Sequence, residues 1–175
     1  MPKATFHNLR PEKKEAVIFA ALEEFALNDY ANASITNLVK IIGIAKGSIY
    51  QYFDQKKGLY EYLIELATDT KLEYTKKILK QTGEGDFVKW YRKLLWQSLL
   101  FELEHPRYAS LLKNVAQEKH NQEIGNLAEK TLKDSYGLLK KVIEIHQKNK
   151  TVDPSLDADT VAMILTHASY GFSDG

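Results

Sequence analysis

Residues 34–53, Ser-Ile-Thr-Asn-Leu-Val-Lys-Ile-Ile-Gly-Ile-Ala-Lys-Gly-Ser-Ile-Tyr-Gln-Tyr-Phe, constrain the fold more than any other stretch. They read as two short helices at a steep angle, joined by a turn at Gly43. Ser34 suits the N-cap of the first, because a serine hydroxyl accepts a hydrogen bond from an amide one turn on. Leu38, Val39, Ile41 and Ile42 give that helix an apolar side. Glycine takes positive φ at no steric cost, so Gly43 can stop the helix and turn the chain. A second helix restarts near Ala45 or Lys46. It carries Lys46, Ser48, Tyr50, Gln51 and Tyr52, groups able to bond phosphates or base edges, while Ile49 and Phe53, four apart, would anchor it in a core. Two helices across a glycine turn, the second polar and partly basic, form the pattern of a DNA-reading helix-turn-helix.

The flanking sequence is helical throughout. Met1 to Arg10 reads as a polar, mobile arm. Pro11 fits a first helical turn, and Ile18, Ala21, Leu22 and Phe25 recur at helical spacing, predicting a helix over 11–28. Asn28-Asp29 ends it. Asp54-Gln55 makes the next turn, with Asp54 as candidate N-cap of a long helix that starts at Lys56. Leu59, Leu63, Leu66, Thr70 and Tyr74 carry that helix to Gln81-Thr82-Gly83, roughly 37 Å. It begins in the helix-turn-helix unit and ends outside it, so it can act as a lever. Further helices are predicted over 87–103, 106–119, 122–148 and 157–171, the third with Ile124, Leu127, Thr131, Leu138, Val142 and Ile145 on one face. The last would turn Val161, Ile164, Leu165 and Ala168 inward. No stretch alternates with period two, so the expectation is an all-α chain of about eight helices.

Bulk features exclude several classes. The 175 residues contain no cysteine, which removes disulfides and thiolate chemistry. No run approaches the ~20 apolar residues of a membrane span, and the amino terminus has no signal-like apolar stretch, so a soluble cytoplasmic protein is expected. The net charge is +1, and residues 1–57 hold eight basic against six acidic side chains. Any DNA binding must therefore focus charge on one face and be salt-sensitive. The five histidines are scattered without a His-Glu-x-x-His pattern, and no Gly-x-Ser-x-Gly occurs, so neither a metal site nor an enzyme is expected. Lys46-Gly47-Ser48 has the wrong order for a phosphate loop, and Gly83-Glu84-Gly85 lacks a third glycine; no cofactor is expected.

The stretch Ile18-Phe19-Ala20-Ala21-Leu22-Glu23-Glu24-Phe25-Ala26, then Tyr30, Ser34-Ile35, Leu38-Val39, Gly43-Ile44, Lys46-Gly47-Ser48-Ile49-Tyr50, Tyr52-Phe53, Lys56 and Leu59 resembles the amino-terminal domain of the TetR family of transcriptional regulators. Three residues depart from the family pattern. Asp29 stands for a usual glycine, Ala45 for the serine that caps the recognition helix, and Gly58 for an acidic residue. The resemblance implies a three-helix helix-turn-helix DNA-binding domain over 1–55 and a helical effector-binding and dimerisation domain over 56–175. It implies phosphate contacts from Lys46, Tyr50, Tyr52 and Lys56, with close backbone approach at Gly47. Ser34 and Thr36 would add contacts at a helix amino end, where amides and the dipole favour anions. Ser48 completes the candidate set, and Gln51 is the candidate base reader, since glutamine pairs two-handed with adenine.

Beyond residue 80, Trp90, Tyr91, Leu94, Phe101, Tyr108, Tyr136 and His167 are the candidates to line a cavity for a small hydrophobic or aromatic effector, with Trp96 and Tyr170 nearby in sequence. The plain alternative is close packing and subunit contact. The resembled family supplies one more helix where residues 169–175 stop, so the chain reads as truncated or unusually short. The expectation is a homodimeric, ligand-responsive repressor on an inverted-repeat double-stranded DNA operator. The alternative is a helical protein-interaction module without DNA binding.

Overall fold

A computed structural model of the chain describes residues 1–171, with side chains to Ser169. The Tyr170 side chain and residues 172–175, where the abrupt ending falls, lie outside the described residues. Among the described residues there are nine helices and no strand: α1 (Ala4–His7), α2 (Pro11–Leu27), α3 (Ile35–Ile42), α4 (Lys46–Tyr52), α5 (Lys56–Leu79), α6 (Phe87–Glu104), α7 (Pro106–Gln117), α8 (Gly125–Lys148) and α9 (Ala158–Gly171). The all-α expectation holds, and no described helix is long and apolar enough to cross a membrane.

Packing divides the chain into two compact units. One comprises Met1–Thr70 and His105–Ala128, the other Lys71–Glu104 and Glu129–Gly175. Helices α5 and α8 each run through both.

The first unit is built on a stripe of α5. Leu59, Tyr60, Leu63, Ile64 and Ala67 keep 3–4 spacing and are all buried, so one helix face supplies the floor of the core. Val17, Ala21 and Phe25 of α2 close over it in the same cluster, together with Ile49 and Phe53. Helix α7 also belongs here. Asn114 Nδ2 donates to the Phe25 and Ala26 carbonyls at 3.1 and 3.4 Å, and Arg107 pairs with Glu23 while its guanidinium lies 5.0 Å over the Phe19 ring.

Three sequence expectations are corrected. The amino-terminal arm is docked: α1 buries Phe6, whose ring lies 4.9 Å from that of Phe53 and 5.5 Å from that of Tyr62. One aromatic residue among polar neighbours gives no periodic signal, yet burying a phenylalanine is worth roughly 1.5–3 kcal/mol. Helix α8 starts at Gly125 rather than 122, because Asn121 Oδ1 accepts from the Glu123 and Ile124 amides (2.9 and 3.3 Å) and turns the chain first. Gly125 is required there, since a Cβ would stand 2.8 Å from the Lys119 carbonyl oxygen. The inward faces of α8 and α9 are also rotated from expectation. Leu138, Ile145 and Ile164 are exposed, while Leu139, Val142, Ile143 and Ala162 form the core of the second unit with Trp90.

On α8 the inner face also includes His146, a polar residue that apolar periodicity passes over. It is fully buried. Its Nε2 accepts from the Gly83 amide (3.2 Å) and Nδ1 lies 2.7 Å from Thr151 Oγ1, whose hydroxyl donates to the His146 carbonyl (3.2 Å). This arrangement requires the neutral ring protonated on Nδ1. Burial pushes the His146 pKa down, with Asp86 opposing weakly. The unfolded chain, with an ordinary value of 6.5, then binds the proton more readily. The network's stabilisation is complete above that pH and is lost as pH falls through the lowered folded value. Urea melts at descending pH are expected to record this decline. A His146→Leu variant is expected to lose that part of the pH dependence, and retention of the full decline would assign it to other groups.

Candidate nucleic-acid interface

Local chemistry fixes the two crossed helices. Ser34 Oγ accepts from the Asn37 amide (3.4 Å), capping α3 as expected. The Ser34 amide itself donates to Glu24 Oε1 at 2.7 Å, and Glu24 is buried, so a carboxylate from α2 fixes where α3 begins. At the other end Gly43 has φ 73°, and its amide and that of Ile44 both donate to the Val39 carbonyl. A residue with a Cβ would be strained in this left-handed conformation. Helix α4 follows without a side-chain cap at Ala45.

Ile35, Leu38 and Val39 of α3 and Ile49 and Tyr52 of α4 face inward. Thr36, Lys40, Lys46, Gly47 and Gln51 are exposed, Ser48 half-buried, and Tyr50 is 41% exposed. Nothing lies within 4 Å of a Cβ placed on Gly47. Six of the expected contact residues, Thr36, Lys46, Gly47, Ser48, Tyr50 and Gln51, are thus open to an approaching duplex, and Ser34 is half-buried at the α3 amino end. The exposed Lys40 adds a cation that periodicity did not single out.

Tyr52 and Lys56 stand differently. Tyr52 is buried, its ring 6.1 Å from that of Phe6. Lys56 Nζ donates to the Ala33 and Ala31 carbonyls at 2.8 and 3.3 Å and lies 4.5 Å over the Tyr30 ring. It ties the loop before α3 to the start of α5. Asp54, the candidate cap of α5, pairs with Lys3 at 2.6 Å. Tyr30 is itself engaged: its amide donates to Glu118 and its hydroxyl to Glu123, and burial first, then Glu123, push its pKa up.

The effector candidates fall at different places among the described residues. Trp90 is core, with Nε1 donating to the Ile78 carbonyl (2.9 Å) and its ring stacked 6.3 Å from Phe87. Phe101 is buried edge-on to Tyr74, Leu94 is half-buried, and Tyr91 donates to the Leu165 carbonyl (3.1 Å). Tyr108 belongs to the other unit. Trp90, Tyr91, Leu94 and Tyr136 pack in one cluster, and Tyr136 and His167 both line an open groove of about 440 Å³ between α8 and α9 with Leu132, Met163 and Thr166. Among the described residues no cluster of His, Cys, Asp or Glu could hold a metal ion.

The glycine turn, the buried Ile49–Phe53 anchors and the cationic-aromatic outer face define a helix-turn-helix unit of the DNA-reading type. The family described as bacterial regulatory proteins, tetR family, matches residues 17–63. A TetR family transcriptional regulator from Chloroflexus aurantiacus J-10-FL is 33% identical, superposes with a TM-score of 0.79, and the alignment covers 99% of this chain and 79% of that one. The chain belongs to the TetR family. The HTH-type transcriptional regulator YuxN of Bacillus subtilis is 29% identical over 127 residues, which is 71% of this chain and 42% of YuxN. The chain thus spans less than half the length of that curated relative. FadR of Bacillus subtilis, solved in complex with stearoyl-CoA, shares the fold at 22% identity and a TM-score of 0.58, covering 89% of this chain and 82% of FadR. All three are named as transcriptional regulators.

Two stability outcomes follow. Lys56→Met is expected to cost about 1–2 kcal/mol without DNA present, because it strands two carbonyls and a ring contact. A thermal melt indistinguishable from wild type would mean that Lys56 is free for other contacts. Ala45→Ser is expected to raise stability by about 0.5–1 kcal/mol by supplying the absent cap of α4; a lower melting temperature would show that the α4 entry cannot accommodate it.

Proposed function

We propose that this protein is a ligand-responsive, DNA-binding transcriptional repressor that acts in the cytoplasm as a homodimer on an inverted-repeat operator. Residues 1–55 read DNA, and residues 56–175 bind the effector and pair the subunits. The observation that carries this reading is the outer face of the two crossed helices: Lys46, Tyr50 and Gln51 are exposed while their neighbours Ile49 and Phe53 are fully buried. Helix α4 enters a major groove, with Gln51 at a base edge and Lys46, Ser48 and Tyr50 on phosphates. Ser34 and Thr36 add contacts at the amino end of α3. Two-fold pairing sets half-sites about one helical turn, or a multiple of it, apart.

The effector is a small hydrophobic or aromatic molecule. The apolar lining of the α8–α9 groove supports this, as does the stearoyl-CoA bound by FadR. Its binding shifts α5, the helix that runs from the DNA-reading unit into the rest of the chain, by favouring one of two states, typically with ~1–3 kcal/mol of coupling.

A band-shift titration on a duplex that the wild-type chain selects from a random-sequence pool tests this. Sequence-selective binding at ~50–150 mM salt, weakening steeply as salt rises, is the expected result. Lys46→Ala is expected to weaken binding to all sequences alike and to lower the salt slope by about one. A chain that enriches no sequence from the pool would overturn the reading.

A further inference from the structure

The docked arm does more than fill a hole in the core. A helix leaves its last four carbonyls without donors of its own. In α4 the first of them, that of Ile49, accepts from the Phe53 amide at 2.7 Å. The remaining three all accept from the arm. Lys3 Nζ donates to the Tyr50 carbonyl (3.0 Å), Thr5 Oγ1 to the Gln51 carbonyl, and the Lys3 amide to the Tyr52 carbonyl (2.8 Å). The Lys3 ammonium thus lies at the negative end of the α4 dipole, the favourable place for a cation. Its ion pair with Asp54 and the burial of Phe6 against Phe53 and Tyr62 hold the arm in position.

This matters because α4 has seven residues and no side-chain cap at its amino end. A helix that short is not stable in water by itself, so tertiary partners decide whether its last turn persists. That last turn carries Tyr50 and Gln51, the two side chains proposed to meet phosphate and base. We propose that residues 3–6 are a positioning strap for the reading helix. Lys3 and Thr5 act through the α4 backbone to hold Tyr50 and Gln51 in register, and do not themselves contact DNA. This purpose rests on the DNA-reading function proposed above; the capping of α4 stands apart from it.

The full chain, as wild type, Thr5→Val, Lys3→Gln and Lys3→Arg, separates the two. Loss of one such hydrogen bond is expected to speed amide hydrogen exchange at Tyr50, Gln51, Tyr52 and Phe53 about fivefold, with α2 and α5 amides unchanged. Thr5→Val is expected to weaken binding to the selected duplex several-fold with an unchanged salt slope, since no phosphate contact is lost. Lys3→Arg, which keeps both the charge and a donor, is expected to retain wild-type exchange and affinity. Unchanged exchange in Thr5→Val would refute the strap whatever the DNA result. A salt slope lowered by about one in Lys3→Gln, with Thr5→Val binding normally, would also refute it by making Lys3 a phosphate contact. Faster exchange in a chain that selects no duplex would leave the cap standing but remove both the strap's purpose and the proposed function.

Discussion

The inner face of α5 is the contact on which the first unit depends, and Tyr60 is its most informative member. Its ring is fully buried, 4.9 Å from that of Phe25 and 5.0 Å from that of Tyr30, while its hydroxyl has no hydrogen-bond partner among the described residues. An orphaned buried hydroxyl costs about 1–3 kcal/mol. Burying an aromatic ring of ~150 Å² returns about 4 kcal/mol. The apolar term wins by a small margin, and the same burial pushes the phenol's pKa far up. Because α5 begins only three residues after Phe53, seating this stripe also fixes where α4 must end.

Around that floor the exposed polar face is produced by exclusion. Ile49, Tyr52 and Phe53 take the inward positions, which leaves Lys46, Tyr50 and Gln51 to point out. The groups that face solvent are then free for a duplex, whereas those on the seam become scaffold. Tyr52 and Lys56 show the difference. Both are polar groups of the kind that bind phosphate, yet one is packed on Phe6 and the other spans two carbonyls and a ring. Residue type alone does not distinguish a ligand-binding cation from one that ties a loop.

The sequence made legible what depends on neighbours within a turn or two. The Ser34 cap, the Gly43 turn, the bounds of α3 and α4, and the two anchors were all readable, because capping, φ and 3–4 spacing are local. The all-α class and the length of α5 followed from uninterrupted periodicity. What escaped reading was set by partners far along the chain. Phe6 finds Phe53 across more than forty residues. His146 is inside because the Gly83 amide needs an acceptor, which a hydropathy pattern counts as a reason to place it outside. The aromatic residues of α6 were legible as apolar mass but not as cavity wall, since Trp90 buries its ring and spends its single donor on a carbonyl. Packing likewise assigns α7 to the unit that contains the helix-turn-helix, through carbonyl and guanidinium contacts with no periodic signature.

Gly58 acquires a meaning from the docked arm. A Cβ at this position would stand 3.3 Å from the backbone nitrogen of Met1, tighter than ordinary van der Waals contact. Any longer side chain would start its course against the arm. The bare backbone at 58 and the seated arm therefore share one small space, and a side chain added there would press first on the strap rather than on the core.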